Sequence, residues 1–241
     1  MKKRWIGFFF LLFVFGGLVF AAFDDDSFQA WSESIRKFSG MQNIQGHLVI
    51  HANLLEKNQP YELNYAMDFY SRDLRDFRID FDSPRMLEGL TILYQYRERL
   101  MYVLNIEEKE YATQSFEAGQ EAQFNPTDLL MAFLDFLINI DSIELLEVYP
   151  EKTEENTYFF KIILSPPEII MLFQKEYPSI NVYLDEDNEI EKIILINEQT
   201  MENLAIEMQD IMINADNKTL NDYFKIPIEE YDFIRYLGVV D

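Results

Sequence analysis

The chain has 241 residues, no cysteine, two histidines and a formal net charge of −23. So acidic a chain repels phosphate backbones and anionic lipid surfaces, which excludes nucleic-acid binding, and without cysteine there are no disulfides, thiolate metal sites, thiol nucleophiles or lipidated cysteine. Hydrophobic residues make up 49% and aromatics 15%, far more than a disordered chain carries, so a real core is expected.

Met1–Phe23 opens with Lys2, Lys3 and Arg4, runs uncharged from Ile6 to Phe20 and ends in Ala21-Ala22. This is the three-part pattern of a secretory signal peptide over 1–21, with Val19 and Ala21 at the small-residue positions before the cut. The leader holds three of the 20 basic residues, so its removal takes the net charge from −23 to −26. The alternative is a retained N-terminal membrane anchor, because Trp5–Phe23 is just long enough to span a bilayer. Either way the globular part is expected outside the cytoplasm, periplasmic or extracellular.

Asp24-Asp25-Asp26-Ser27 reads as an acidic, capped helix start rather than a metal site. Phe28, Trp31, Ile35 and Phe38 follow at spacings of three, four and three, one apolar stripe on a helix stopped near Gly40. Gln45–Leu55 alternates as a strand and puts His47 and His51 together on its more polar face. No third ligand is evident nearby, so exposed polar residues are a plainer reading than a metal site.

The stretch Pro60–Ser71, PYELNYAMDFYS, has the clearest strand pattern. Tyr61, Leu63, Tyr65, Met67 and Phe69 occupy every second position, with Glu62, Asn64 and Asp68 between them. Such bulky, adaptable side chains either fill a core or line a ligand cavity. Strands over Phe77–Phe81, Leu90–Tyr96, Leu100–Ile106 and Lys109–Thr113 continue an antiparallel meander, since no helix separates them.

Glu117–Phe124 reads as a loop, and Asn125-Pro126-Thr127-Asp128 as a helix start. The helix body, Leu129–Ile140, is apolar almost all round, so it is either deeply buried or covers something greasy. Strands over Ile143–Tyr149 and Thr157–Leu164 follow, then a short helical stretch over Glu168–Lys175. Asn181–Asp185 and Glu189–Ile196 flank Asp185-Glu186-Asp187-Asn188. A calcium loop there would need a glycine and a glutamate where Ile190 and Ile196 stand, so a hairpin turn is expected. In Leu204–Asn214 the apolar set shifts phase from Leu204, Ile206 and Met208 to Ile211 and Ile213, the mark of a β-bulge. Tyr223–Pro227 reads as a closing edge segment. No internal repeat or linker interrupts the chain, so 22–241 is read as a single domain with a core of about 28–227 and an acidic C-terminal extension, 228–241.

Two stretches carry a resemblance to a known family. One is Ser83-Pro84-Arg85-Met86-Leu87-Glu88-Gly89 running into Thr91–Tyr94 and Met101-Tyr102-Val103. The other is Ile180–Asp185 with its turn, Ile190–Ile193, and Asn214 through Asp222-Tyr223-Phe224-Lys225-Ile226-Pro227. Together with the order of elements they resemble the outer-membrane lipoprotein carriers (LolA-like) and related envelope lipid-binding and sensor proteins. The sequence departs from the carriers in a turn without the usual glycine, an extreme charge and the C-terminal extension. The carriers' cavity arginine has no assigned match, although Arg72, Arg75 and Arg78 lie near its place.

The resemblance implies an α+β, mostly antiparallel fold, a strongly curved incomplete β-barrel with helices over its concave face. It also implies a monomer that carries acyl chains of a lipid or lipoprotein between membrane-embedded donor and acceptor proteins. On that reading Tyr61, Leu63, Tyr65, Met67 and Phe69 form a cavity wall, and Leu130, Phe133, Leu134 and Leu137 a lid. An envelope sensor that binds a protein partner with the same fold is the alternative. No GxSxG, HExxH, P-loop or dinucleotide fingerprint is present, so no enzyme, catalytic residue or cofactor is expected.

Overall fold

The structure, a computed structural model, describes residues 25–38, 40–57, 59–116, 145–152, 157–164, 170–172, 175–215 and 217–240. The leader and the lid residues Leu130, Phe133, Leu134 and Leu137 lie outside these. Alternating stretches become strands almost residue for residue: β1 (Asn43–Glu56), β2 (Gln59–Arg72), β3 (Asp76–Ser83), β4 (Leu90–Gln95), β5 (Leu100–Asn105) and β6 (Glu110–Phe116). The second run comprises β7 (Leu145–Lys152), β8 (Tyr158–Leu164), β9 (Ile170–Leu172), β10 (Lys175–Tyr177), β11 (Ser179–Leu184), β12 (Ile190–Asn197), β13 (Glu202–Ile213) and β14 (Asp232–Val240). Two α-helices, α1 (Asp25–Phe38) and α2 (Asn217–Tyr223), and a 3-10 turn, Ile228–Glu230, complete the described elements.

Twelve strands hydrogen-bond in the order β14-β6-β5-β4-β3-β2-β1-β13-β12-β11-β8-β7, and among the described residues β9 pairs with β10. Every pairing with a described register is antiparallel except β14 on β6, which is parallel. The sheet is therefore mostly antiparallel and open, as the sequence led one to expect.

The chain divides into two units. The first comprises Met1–Lys37, Ala52–Glu62 and Asp135–Ile206. Its core is two cross-strand rows, Phe160–Val182–Ile193 and Ile162–Ile180–Leu195, all fully or almost fully buried. Trp31 of α1 meets Phe160 edge-on with ring centroids 4.9 Å apart. The turn before β12 ties the helix down: Lys37 Nζ donates to the Asp187 carbonyl at 2.7 Å and to Glu189 at 2.9 Å, and Asn188 donates to Glu33 at 3.0 Å. Asp185 Oδ1 accepts the backbone N–H groups of Asp187 and Glu189, so this carboxylate shapes a hairpin turn as expected.

The buried face of α1 is Ser27, Ala30, Trp31, Ser34 and Phe38, whereas Phe28 is 41% exposed. The expected stripe thus keeps Trp31 and Phe38 and leaves Ile35 half-buried, and the buried face turns away from Phe28 toward Ser27, Ala30 and Ser34. Glu168–Lys175 is a second correction. Its described residues pair Leu172 with Lys175 across a hairpin rather than forming a helix, and the fully buried Tyr177 anchors β10.

The second unit comprises Phe38–His51, Leu63–Leu134 and Glu207–Asp241. In β13 Asp210 takes a left-handed φ of 52°, at the point where the apolar phase slips. Gly46 of β1 faces this irregularity. A Cβ there would lie 3.1 Å from the Gln209 carbonyl oxygen and 3.2 Å from the Ile211 Cα. Tyr223–Pro227 is not an edge strand but the end of α2 and the turn after it. Leu220 and Phe224 bury there against Leu93 and Leu104, which satisfies their apolar surface better than a place at a sheet edge. The C-terminal extension, patternless in sequence, forms β14 beside β6.

Candidate functional site

Strand register assembles the aromatic face of β2 into a broader surface. Met67 lies opposite Phe81, Phe69 opposite Ile79 and Ser71 opposite Phe77. The rows continue as Ile79–Ile92–Val103–Ala112 and Phe77–Tyr94–Met101 on β4, β5 and β6. Phe77 stacks on Tyr94 with ring centroids 5.3 Å apart, and Tyr94 meets Phe116 edge-on at 5.8 Å.

Burial along β2 is graded. Phe69 is 3% exposed and Met67 8%, Tyr65 and Leu63 are half-buried, and Tyr61 is 36% exposed. The five residues expected to share one role therefore do not have one environment. Met67 and Phe69 are core, Tyr65 and Leu63 are partly open, and Tyr61 is exposed. A row of such side chains that opens toward one end of a strand is the kind of feature that marks a binding surface.

The reverse face of the same strands is built differently. Tyr70 stacks on Tyr223 with centroids 4.2 Å apart, and burial pushes its hydroxyl far above the usual phenol range. Arg72 donates to Asn221 at 2.7 Å, pairs with Asp76 and lies 4.6 Å from the Phe224 ring centroid. Arg78 holds Asp80 and donates to the Tyr223 carbonyl at 2.6 Å. These arginines clamp α2 onto the face opposite the aromatic stripe, while Arg75 lies over Tyr96. Arg72 and Arg78 thus face away from the stripe.

The histidines also find partners that sequence reasoning missed. His51 Nδ1 lies 2.6 Å from Asn64 Oδ1. His47 Nδ1 lies 2.9 Å from Asp68 Oδ1 and 3.6 Å from Asp82 Oδ2. Strand register brings these residues together, and the ladder shifts between Ala66 and Met67, which leaves Asp82 outside the β2–β3 pairing. Among the described residues this is the one group of three or more histidine and acidic side chains placed to hold a metal ion.

The first unit holds a buried ion pair. Glu202, 5% exposed, accepts Lys175 Nζ at 2.6 Å and the Leu55 N–H at 2.8 Å. The lysine hydrogen bond holds its carboxyl below the usual range against the opposing effect of burial. Beside it, Tyr177 is fully buried and its hydroxyl is pushed up to about 12, chiefly by desolvation.

No protein-family model matches the chain, and no curated protein matches it in sequence. Among solved structures it is similar to LprF from Mycobacterium bovis, at 12% identity over 80% of this chain and 95% of that one, with a TM-score of 0.50. It is similar also to the Mycobacterium tuberculosis lipoprotein LppX (10% identity, 80% and 98% of the chains, TM-score 0.46). A LolA superfamily protein from Nitrosomonas europaea matches at 10% identity over 82% and 98%, with a TM-score of 0.35. At such identities the likeness concerns fold alone, and the match to LprF carries it. The chain therefore shares the fold of LprF. Among the described residues no helix is long and apolar enough to cross a membrane.

Proposed function

We propose that this chain is an exported carrier that holds the acyl chains of a lipid or lipoprotein against the apolar face of β2, under a lid formed by Leu130, Phe133, Leu134 and Leu137. The observation that carries this reading is the opening of the stripe from buried Phe69 to exposed Tyr61 within a LolA-like fold. Met67 and Phe69 form the floor, and Leu63, Tyr65 and Tyr61 the part of the wall that a chain can reach. Each methylene moved from water onto such a surface contributes about 0.8 kcal/mol, so ten give a gross 8 kcal/mol or so before the cost of association. Lid and acyl chain present the same kind of surface to the wall, so exchanging one for the other costs little and allows release as well as capture. The test is titration of a fluorescent fatty acid into wild type, Leu63→Glu and Tyr65→Glu. Saturable binding lost in both variants, with circular dichroism unchanged, supports the carrier. Undiminished binding overturns it.

A second reading, recognition of a protein partner, is favoured by β14. It stands at one end of the strand order, and Phe233 and Ile234 on it are 54% and 55% exposed. No binding by the wild type in the same titration, together with capture of one partner lost in Phe233→Asp, transfers the proposal to that edge.

A further inference from the structure

We propose that His47, Asp68 and Asp82 form a binding site for a divalent first-row transition cation, with Zn2+ as the best fit. The three side chains come from three adjacent strands, β1, β2 and β3, and their ligand atoms all lie within 4.8 Å of one another. A cation about 2.1 Å from each ligand requires ligand atoms about 3.0 Å apart at right angles, or about 3.4 Å apart at the tetrahedral angle. The two histidine–carboxylate distances, 2.9 and 3.6 Å, bracket these values.

Charge points the same way. Among the described residues neither Asp68 nor Asp82 has a lysine or arginine ion-pair partner, while nearby Asp80 is held by Arg78 and Thr91. The imidazole Nδ1 can donate at most one proton, so it serves one carboxylate and leaves the other facing a like charge. A divalent cation serves both and accepts the Nδ1 lone pair as a third ligand. One imidazole with two carboxylates suits Zn2+ or Mn2+ better than an all-oxygen cation such as Ca2+. Three protein ligands leave further positions to water, and the half-exposed side chains leave the ion a path from solvent. Asp82 lies outside the regular pairing of β2 with β3, which sets its carboxylate free to turn toward His47.

The site lies on the opposite face of β2 from the aromatic stripe, so it is independent of the lipid-binding proposal. The test is calorimetric titration of chelator-stripped full-length protein with ZnCl2, MnCl2 and CaCl2 near neutral pH. One-to-one Zn2+ binding is expected, weakened about tenfold or more in His47→Ala and in Asp82→Asn and unchanged in His51→Ala. The chain has only two histidines, so nuclear magnetic resonance of the wild type gives a readout that needs no variant. Zn2+ should shift the His47 ring signals and leave those of His51 in place. Zn2+ binding that survives His47→Ala, preference for Ca2+, or equal shifts at both rings overturns the site and assigns any binding to the acidic surface at large.

Discussion

Removing Lys175 should cost more stability than removing its buried partner. Lys175→Met takes the cation from a carboxylate that is only 5% exposed, and also removes the donor to the Leu55 carbonyl at 2.6 Å. Breaking a buried pair from one side costs about 3–5 kcal/mol. The lysine side chain is 26% exposed, which places the expected cost near the low end, about 3 kcal/mol. Glu202→Gln is milder. The amide oxygen can still accept the Leu55 N–H and the freed ammonium can turn to solvent, so about 1–2 kcal/mol is expected. The pH dependence differs too. In the wild type the contribution of Glu202 is complete above the ordinary carboxylate range and is lost as pH falls through its lowered value. In Lys175→Met the main lowering influence is gone and burial raises the carboxyl, so the deficit of this variant should shrink on acidification. Urea denaturation at near-neutral pH and at about pH 4 measures both effects. A smaller loss for Lys175→Met than for Glu202→Gln, or a deficit independent of pH, would refute this reasoning.

Two further substitutions probe the frame. Gly46→Ala puts a Cβ against the Gln209 carbonyl and the Ile211 backbone; a loss of about 1–3 kcal/mol is expected in thermal denaturation, and a neutral outcome would mean that β1 and β13 do not approach closely. Tyr177→Phe removes a buried hydroxyl that has no hydrogen-bond partner among the described residues, so it should be neutral or stabilise by up to about 1 kcal/mol; a loss larger than that would reveal a partner.

Strands were legible in this sequence because alternation is a local signal. Tyr61 to Phe69 points one way whatever surrounds it, and the phase slip after Met208 is readable because it changes that alternation. The missed features depend on sequence-distant partners. Asn217–Tyr223 offers only Leu220 and Tyr223 as apolar residues, too few for a helical period, and its place is fixed by Leu93, Leu104, Arg72 and Arg78. Ile170–Leu172 and Lys175–Tyr177 are each three residues long, shorter than any period they could display. Asp232–Val240 does not alternate, and only β6 makes it a strand. At the site, the alternation placed Met67 and Tyr65 on one face but could not grade them, since burial depends on what lies across the sheet. His47 had no visible third ligand because Asp68 and Asp82 reach it only through pairing register.

The central claim, that the open end of the β2 stripe holds acyl chains, is tested most directly with a photoactivatable fatty acid. Crosslinking followed by peptide mass mapping shows where the chain lies. Saturable adducts on Tyr61, Leu63 or Tyr65, competed by unlabelled fatty acid and lost in Tyr65→Glu, are the predicted result. Saturable adducts confined to β14 or α2, or no saturable labelling at all, would contradict it.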